Sequence, residues 1–172
     1  PFSTKYLLEV LPKTVKNIAV LDRTKEAGSN GEPLYLDIVN ALKDKNINIV
    51  GGRFGLSSKN TTPSDIKSVY TMLDSVLKNN FTIGIIDDET NTSLPKEEYN
   101  IELDADEFLV YGFGSDGCVS ASKDVLKIAG KEGYYVNGYY SYDSKKSGGV
   151  TISNLRLSKS KINAPYYVTN PK

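Results

Sequence analysis

The feature of this sequence that most constrains its fold is an alternation between short apolar runs and longer amphipathic segments. The apolar runs cover residues 17–21, 47–50 and 81–86, and each has the length of a strand buried on both faces. The segments between them repeat apolar side chains every three or four residues, as amphipathic helices do. Strands separated by helices at this spacing favour right-handed crossovers between parallel strands. The pattern therefore predicts an α/β fold with mainly parallel sheets.

The segments between the runs also carry helix start signals. Pro33 suits the first turn of a helix, and Thr62 followed by Pro63 suits an N-cap and a first helical position. A shorter helix is predicted after Ser3. The apolar stripes are Leu34, Ile38, Ala41 and Leu42 in one helix, and Ile66, Val69, Tyr70, Leu73, Val76 and Leu77 in the other. We interpret these stripes as core.

A polar stretch over residues 90–106 predicts a domain boundary near residue 100. We therefore expect two α/β units, residues 1–100 and residues 101–172. The acids in and beside this stretch are Glu97, Glu98, Asp104, Asp106 and Glu107. They lack the loop spacing of a cation site such as an EF-hand, so we interpret them as part of a solvated linker.

The second unit begins with a β-prone run, residues 108–111, that leads into glycines spaced G-x-G-x-x-G at Gly112, Gly114 and Gly117. A short helical pattern follows and stops at Gly130. Two further β-prone runs, residues 134–142 and 150–157, then predict a β-hairpin. The last apolar segment, residues 162–168, is extended and is expected to pair at a sheet edge.

A strand, a glycine turn and a helix aim backbone N–H groups and a positive helix end at phosphate. Such turns also occur for steric reasons alone, so this spacing is weak evidence by itself. Asp143 follows the next predicted strand and is succeeded by Lys145 and Lys146, which would favour a phosphorylated ribose over a free 2′-hydroxyl. The alternative interpretation treats both lysines as ordinary solvated charges.

The composition limits the reactions and the binding partners that this chain can have. It contains no histidine and one cysteine, and its formal net charge is zero. The composition excludes histidine-dependent nucleophiles, a disulfide within the chain and a cysteine-ligated cluster, and the zero net charge gives no general attraction to nucleic acid. No run approaches the length of a transmembrane helix. With the zero net charge, we therefore expect neither a nucleic-acid nor a membrane partner, and the single cysteine fits a reducing compartment such as the cytoplasm. The first residue is proline, from which we expect a fragment or a processed chain.

Cys118 allows two interpretations. It follows the glycine turn, near the start of the predicted helix, and a helix N-terminus lowers the pKa of a thiol. A reactive thiol is therefore one possibility. The other is a small buried hydrophobe, the more common state of a free cysteine.

Several blocks of this sequence, in order, resemble the pyruvate:ferredoxin oxidoreductase family. The blocks are residues 17–26, 31–37, 52–59, 81–85 with 87–88, 112–117 and 142–152. The resemblance implies a fragment spanning the end of a transketolase-C-terminal-like domain, residues 1–100, and the start of a gamma-type domain, residues 101–172. It also implies a large homodimer whose remaining domains bind thiamine diphosphate, Mg and 4Fe-4S clusters. Such an enzyme oxidises pyruvate to acetyl-CoA and reduces ferredoxin or flavodoxin.

Within that family the third domain is implicated in coenzyme A binding. The matching positions here are Asp116, Gly117, Cys118, Val119, Lys145 and Lys146. The resemblance implies no catalytic and no metal-binding residue in this stretch, so the fragment should be inactive alone. After Asp116-Gly117 the family typically continues Thr-Val-Gly-Ala-Asn-Lys, whereas this chain continues Cys-Val-Ser-Ala-Ser-Lys. Two alternative functions stay open. The chain could be the same region of a pyruvate:NADP⁺ oxidoreductase fusion. It could instead be a non-catalytic scaffold or dimer-contact domain with a decayed ligand site.

Overall fold

The structure is a computed structural model that describes residues 2–86, 89–143 and 148–171. The chain divides into two compact units, residues 1–100 and residues 101–172. The first unit contains helices and a sheet and the second contains one helix and a sheet, which confirms the predicted α/β class. Among the described residues, no helix combines the length and the apolar character that crossing a membrane requires.

The first unit is built on a parallel sheet, as predicted. Its elements are helix α1 (Thr4–Val10), strand β1 (Asn17–Asp22), helix α2 (Pro33–Ala41), strand β2 (Asn48–Arg53), a 3₁₀ turn (Leu56–Ser58), helix α3 (Pro63–Leu73) and strand β3 (Phe81–Thr82). The strands lie in the order β1-β2-β3, and each neighbouring pair is parallel. Two predicted elements are shorter than expected. The third strand ends at Thr82, and α3 ends before Val76, which is 81% exposed.

The core of this unit forms two clusters. Val50, Val69, Met72, Phe81 and Ile83 form the cluster on the α3 side, and Val20, Ile38 and Leu42 form the cluster on the α2 side. The parallel sheet is thus covered on both faces, which explains why its strands read as continuous apolar runs. Close packing also fixes one glycine, because a Cβ at Gly52 would lie 2.2 Å from the ring of the fully buried Phe81.

Helix α3 begins as its sequence predicts. The Thr62 hydroxyl oxygen accepts a hydrogen bond from the Asp65 amide at 3.4 Å, and the Thr62 amide donates to the Asp65 carboxylate at 2.7 Å. Pro63 occupies the first turn. This reciprocal arrangement is a capping box, which satisfies backbone donors that the helix itself leaves unpaired.

The polar ends of β1 and β2 were not anticipated from the sequence. The Asp22 carboxylate accepts the amide N–H groups of Leu34 and Tyr35, at 3.1 and 3.0 Å, and so holds the start of α2. At the end of β2, the Arg53 guanidinium donates to the Glu32 carboxylate at 2.6 Å, and Glu32 is 1% exposed. The polar segment between β1 and α2, residues 22–32, therefore begins and ends in buried polar contacts.

The second unit contains strand β4 (Asp106–Phe113), helix α4 (Cys118–Lys131), strand β5 (Tyr135–Tyr142) and strand β6 (Val150–Ser158). Its sheet has the order β4-β6-β5, and both pairings are antiparallel. The predicted hairpin of β5 and β6 is present, but the expectation of a mainly parallel sheet is wrong for this unit. Only residues 143–149 join β5 to β6, too few for a parallel crossover of a dozen or more residues. Strand β6 therefore returns antiparallel and lies between β4 and β5.

Helix α4 covers one face of this sheet, and two glycines make room for it. A Cβ at Gly112 would lie 2.9 Å from the Cβ of Cys118, and one at Gly138 would lie 2.5 Å from a Leu126 methyl group. Gly112 belongs to β4 and Gly138 to β5. The helix therefore crosses from one outer strand to the other above the central strand β6.

The segment after β6 differs from its prediction, because residues 162–168 form no strand in the part of the chain that the structure describes. Arg156, which is fully buried, holds this segment through its side chain instead. Its guanidinium donates to the carbonyl oxygens of Tyr166 at 2.6 Å, Tyr167 at 2.9 Å and Ala164 at 3.3 Å. Arginine supplies donors in a fixed fork, so one side chain replaces the ladder that an edge strand would have formed.

The same guanidinium forms an ion pair with Glu107, which lies opposite Arg156 in the antiparallel register. Glu107 is 7% exposed and also accepts the Asn170 amide N–H at 3.3 Å. The interpretation of Glu107 as part of a solvated linker is therefore wrong. Asn154 adds one more anchor, since its side-chain oxygen accepts the Val168 amide N–H at 3.0 Å.

Candidate functional site

The glycine turn lies at the end of β4, directly before α4. Gly114 and Gly117 have φ values of 59° and 85°, in the left-handed region that side chains disfavour. A Cβ at either residue would meet nothing within 4 Å. These glycines are therefore required by backbone conformation and not by crowding, and the backbone at both positions is open to approach.

The turn shares one edge of the sheet with the hairpin. Strands β4 and β5 are both antiparallel to β6 and hence run in the same direction, so their carboxyl ends meet at the edge where α4 begins. The Gly114 amide donates to the Gly149 carbonyl oxygen at 3.0 Å, and Phe113 pairs with Val150. The structure thus brings the glycine turn next to the end of the segment 143–149. Lys145 and Lys146 belong to that segment but lie outside the described residues.

The Asp116 side chain folds back onto this turn. Its carboxylate accepts the Phe113 amide N–H at 2.8 Å and the Cys118 amide N–H at 2.9 Å. The hydrogen bonds from the Cys118 and Phe113 amides lower the pKa of this carboxyl below its ordinary value of 3.8. Asp116 is exposed to solvent and is ionised at neutral pH. The amide N–H groups of Phe113 and Cys118 are therefore already bonded to a carboxylate.

Cys118 begins α4 and is half-buried. Its thiol donates to the Asp116 carboxylate at 3.2 Å. That hydrogen bond, together with desolvation and the negative charge of Asp116, raises the pKa of the Cys118 thiol. The neighbouring carboxylate thus opposes the helix N-terminus and favours the neutral thiol, which counts against the interpretation of Cys118 as an activated thiol.

The remaining positions near the turn differ in exposure. Gly117 occupies the N-cap position of α4 without a side chain to cap it, and Val119 is half-buried. Ser120 points to solvent, whereas Ser122 is 3% exposed and its hydroxyl oxygen has no hydrogen-bond partner among the described residues. Both residues depart from the family pattern. Ser122, where the family typically has asparagine, is thus buried, and Ser120, where the family typically has glycine, is on the surface.

Sequence reasoning missed the part that Asp116 plays in the turn. A signal was present, because aspartate side chains commonly bond to backbone amides one or two residues further along the chain. For metal ions, the described residues contain no group of three or more His, Cys, Asp or Glu side chains arranged to hold one. The arrangement around the turn can accept hydrogen bonds at Asp116 and presents open backbone at Gly114 and Gly117.

Comparisons with known proteins agree on one class, the oxidoreductases that act on pyruvate. Residues 107–172 match the family model described as "Pyruvate ferredoxin/flavodoxin oxidoreductase". The chain is 51% identical to the pyruvate:ferredoxin oxidoreductase of Moorella thermoacetica and 47% identical to a probable pyruvate-flavodoxin oxidoreductase of Escherichia coli. Each of these matches covers 98% of this chain and 15% of the relative.

A third relative, the mitochondrial pyruvate dehydrogenase [NADP(+)] of Euglena gracilis, is 42% identical over 99% of this chain and 10% of its own length. The resemblance found in the sequence is therefore confirmed. The chain is homologous to one stretch of the pyruvate:ferredoxin and pyruvate-flavodoxin oxidoreductases, and it spans about 15% of the length of the first curated relatives that it matches.

Proposed function

We propose that this chain is part of a larger enzyme that oxidatively decarboxylates pyruvate to acetyl-CoA and reduces ferredoxin or flavodoxin. The observation that carries the proposal is the similarity along 98% of the chain to relatives named for this activity. In this proposal residues 1–100 are the end of a transketolase-C-terminal-like domain and residues 101–172 are the start of a gamma-type domain. The whole protein is a cytoplasmic homodimer.

The cofactors of the reaction belong to the remaining domains in this proposal. A 4Fe-4S cluster is held by four cysteine thiolates, and this chain has one cysteine, so its residues do not fit a cluster. The second group is thiamine diphosphate with its Mg, which the proposal also gives to the remaining domains. We assign both groups outside this stretch and give this chain scaffold and coenzyme A contacts.

The experiment that tests the activity compares the 172-residue chain with the full-length protein. Pyruvate-dependent reduction of a viologen dye in the presence of coenzyme A reports the overall reaction. We expect reduction by the full-length protein and none by the chain alone. A full-length protein that reduces the dye with another 2-oxoacid but not with pyruvate would contradict the proposed substrate.

For coenzyme A, we assign contacts to Asp116, Gly117, Cys118, Val119, Lys145 and Lys146. The observation that supports this site is the hydrogen bond from the Gly114 amide to the Gly149 oxygen, which joins the glycine turn to the hairpin segment that contains both lysines. The backbone at Gly114 and Gly117 is also open to a ligand. Lysine ammonium groups bind phosphate as point charges, and the ligand so held would present its thiol to the rest of the enzyme.

The lysine pair gives this site its own test. Replacing both Lys145 and Lys146 with alanine in the full-length protein should weaken coenzyme A binding about tenfold or more, the scale of charge-assisted hydrogen bonds. Isothermal titration calorimetry measures the change. The matched control replaces Lys43 and Lys45, two exposed lysines of the first unit, with alanine. Equal affinities in both double variants would show that the lysine assignment is wrong.

The Euglena relative favours a second candidate, the same region of a pyruvate:NADP⁺ oxidoreductase fusion. Its test is the electron acceptor of the full-length protein. Reduction of NADP⁺ with pyruvate, measured at 340 nm, would support the fusion, whereas turnover with ferredoxin or flavodoxin alone would support the first proposal. Both candidates use this chain in the same way.

A further inference from the structure

Strand β5 lies at the outside of the second sheet and pairs with β6 along one of its two edges. The Asp143 amide donates to the Val150 carbonyl oxygen at 3.1 Å, so in this register the odd-numbered residues of β5 exchange backbone hydrogen bonds with β6. The even-numbered residues point their N–H and C=O groups away from β6, and they are Val136, Gly138, Tyr140 and Tyr142. In the part of the chain that the structure describes, no second strand pairs with this edge.

Strand β5 lacks the features that protect an edge strand from association. Natural edge strands are protected by charged residues, prolines, bulges or short length. This strand is eight residues long, and its sequence, YVNGYYSY, contains no charge and no proline. Its pairing with β6 is one-to-one over its whole length, without a bulge. The other outer strand differs, because β4 begins with Asp106 and Glu107, and the outward amide of Phe113 is bonded to Asp116.

A second copy of β5 can complete this open edge. In an antiparallel pair whose two-fold axis passes through residue 139, Val136 lies opposite Tyr142 of the second copy. In the same register Gly138 lies opposite Tyr140, and Tyr139 lies opposite itself. The first two pairs join residues whose backbone groups point outward, so every outward N–H and C=O group of both strands finds a partner. Aromatic side chains face a valine, a glycine and each other, and no like charges are opposed.

We propose that two copies of this chain associate through β5 in this register, which joins two three-stranded sheets into one antiparallel sheet of six strands. The pairing covers Val136 and Tyr142, whose side chains are exposed in the single chain. The formal net charge of zero gives no overall repulsion between the copies. The inference concerns the 172-residue chain and does not depend on the proposed enzymatic activity.

The test measures association of the 172-residue chain by sedimentation velocity, from micromolar to submillimolar concentrations. A like-charge variant, Val136→Lys with Tyr142→Lys, places two cations opposite each other at both ends of the pairing. A charge-swap variant, Val136→Lys with Tyr142→Glu, places a lysine opposite a glutamate at the same positions. The control, Tyr70→Lys with Val76→Lys, adds two cations at exposed positions of the first unit. Circular dichroism at 222 nm shows whether each variant is folded.

We expect the unmodified chain to shift from monomer to dimer within this range of concentration. The like-charge variant should dimerise about tenfold more weakly or worse, because like charges directly opposite each other destabilise a strand pair. The charge-swap variant and the control should stay within about threefold of the unmodified chain. A chain that is monomeric throughout the range would overturn the inference. So would a like-charge variant that dimerises as tightly as the charge-swap variant.

Hydrogen exchange, followed by NMR, tests the register without any substitution and so does not depend on the folding of a variant. Raising the concentration of the unmodified chain should slow exchange at the outward amides of Val136, Gly138, Tyr140 and Tyr142. The inward amides are bonded to β6 in the monomer as well, so their exchange should change less. Outward amides whose exchange is independent of concentration would overturn the inference.

Discussion

The buried ion pair of the second unit allows a stability prediction whose size follows from its contacts. Replacing Arg156 with methionine keeps an apolar stem but removes every donor of the guanidinium. Glu107 would then be a nearly buried carboxylate without a cation, and three carbonyl oxygens of residues 164–167 would lose their donors. Breaking a buried pair from one side costs about 3–5 kcal/mol. Since domain stabilities are about 5–15 kcal/mol, we expect the second unit to lose much of its stability.

Urea unfolding of the 172-residue chain, followed by circular dichroism at 222 nm and by tyrosine fluorescence, measures this loss. The first unit contains neither residue, so the part of the transition that belongs to it should not move. Lys161→Met, an exposed lysine in the same segment, is the matched control. A double-mutant cycle with Glu107→Gln should give a coupling energy of about 0.5–3 kcal/mol, as expected for residues in contact.

A loss below about 1 kcal/mol, the range of exposed ion pairs, would refute the reasoning. Such a result would mean that water reaches the Glu107 carboxylate in solution, or that the segment after β6 is released without cost. Equal losses in Arg156→Met and Lys161→Met would refute it as well. The burial of Arg156, which is fully inaccessible in the structure, is the feature on which the magnitude depends.

Three further predictions concern smaller changes. Thr62→Ala removes the N-cap of α3 and should cost about 1 kcal/mol in the same urea assay. Gly52→Ala places a methyl group against a buried ring and should cost about 1–3 kcal/mol, whereas Gly130→Ala, whose Cβ would have ordinary contacts, should be neutral or stabilising. Asp116→Asn should speed alkylation of Cys118 by iodoacetamide at pH 7–8, because the carboxylate that raises the thiol pKa is neutralised; an equal rate would contradict the cause given for that shift.

The titration of Asp116 also gives an acid-stability prediction. Its pKa is lowered in the folded chain, so its contribution to stability is complete above the unfolded value near 3.8 and is lost as the pH falls through the lower folded value. The stability difference between the unmodified chain and Asp116→Asn should therefore shrink below about pH 4. Urea midpoints measured between pH 2 and pH 7 test this, and a difference independent of pH would contradict it.

The sequence predicted the first unit well because its signals are local. Buried parallel strands are continuous apolar runs, and the Thr62-Pro63 helix start is a capping pattern that depends on neighbouring residues alone. The ion pair of Glu32 and Arg53 was missed for the opposite reason. These residues are 21 positions apart, and charged side chains in a polar segment give no sign that folding will bring them together and bury them.

In the second unit the strands and the hairpin were predictable, but the pairing of the sheet was not. A strand, a helix and a strand predict a parallel pair, and β4 and β5 do run in the same direction. Periodicity does not reveal that β6 lies between them. The contact of Arg156 with Glu107 depends on that insertion, since it places the two residues opposite each other across neighbouring strands. Topology therefore decided which charges became buried.

The glycine turn separates what spacing determines from what side chains determine. Glycine at 114 and at 117 allows the positive φ values that the backbone adopts there. The electrostatic character of the turn depends on the side chain at position 116, directly before Gly117. A small neutral residue there would leave the Phe113 and Cys118 amides for a ligand anion, whereas the Asp116 carboxylate occupies them. The glycine spacing therefore predicts the glycine positions of this turn, but it does not predict whether these two amides are free. An aspartate at this position argues against assigning phosphate to such a turn from glycine spacing alone.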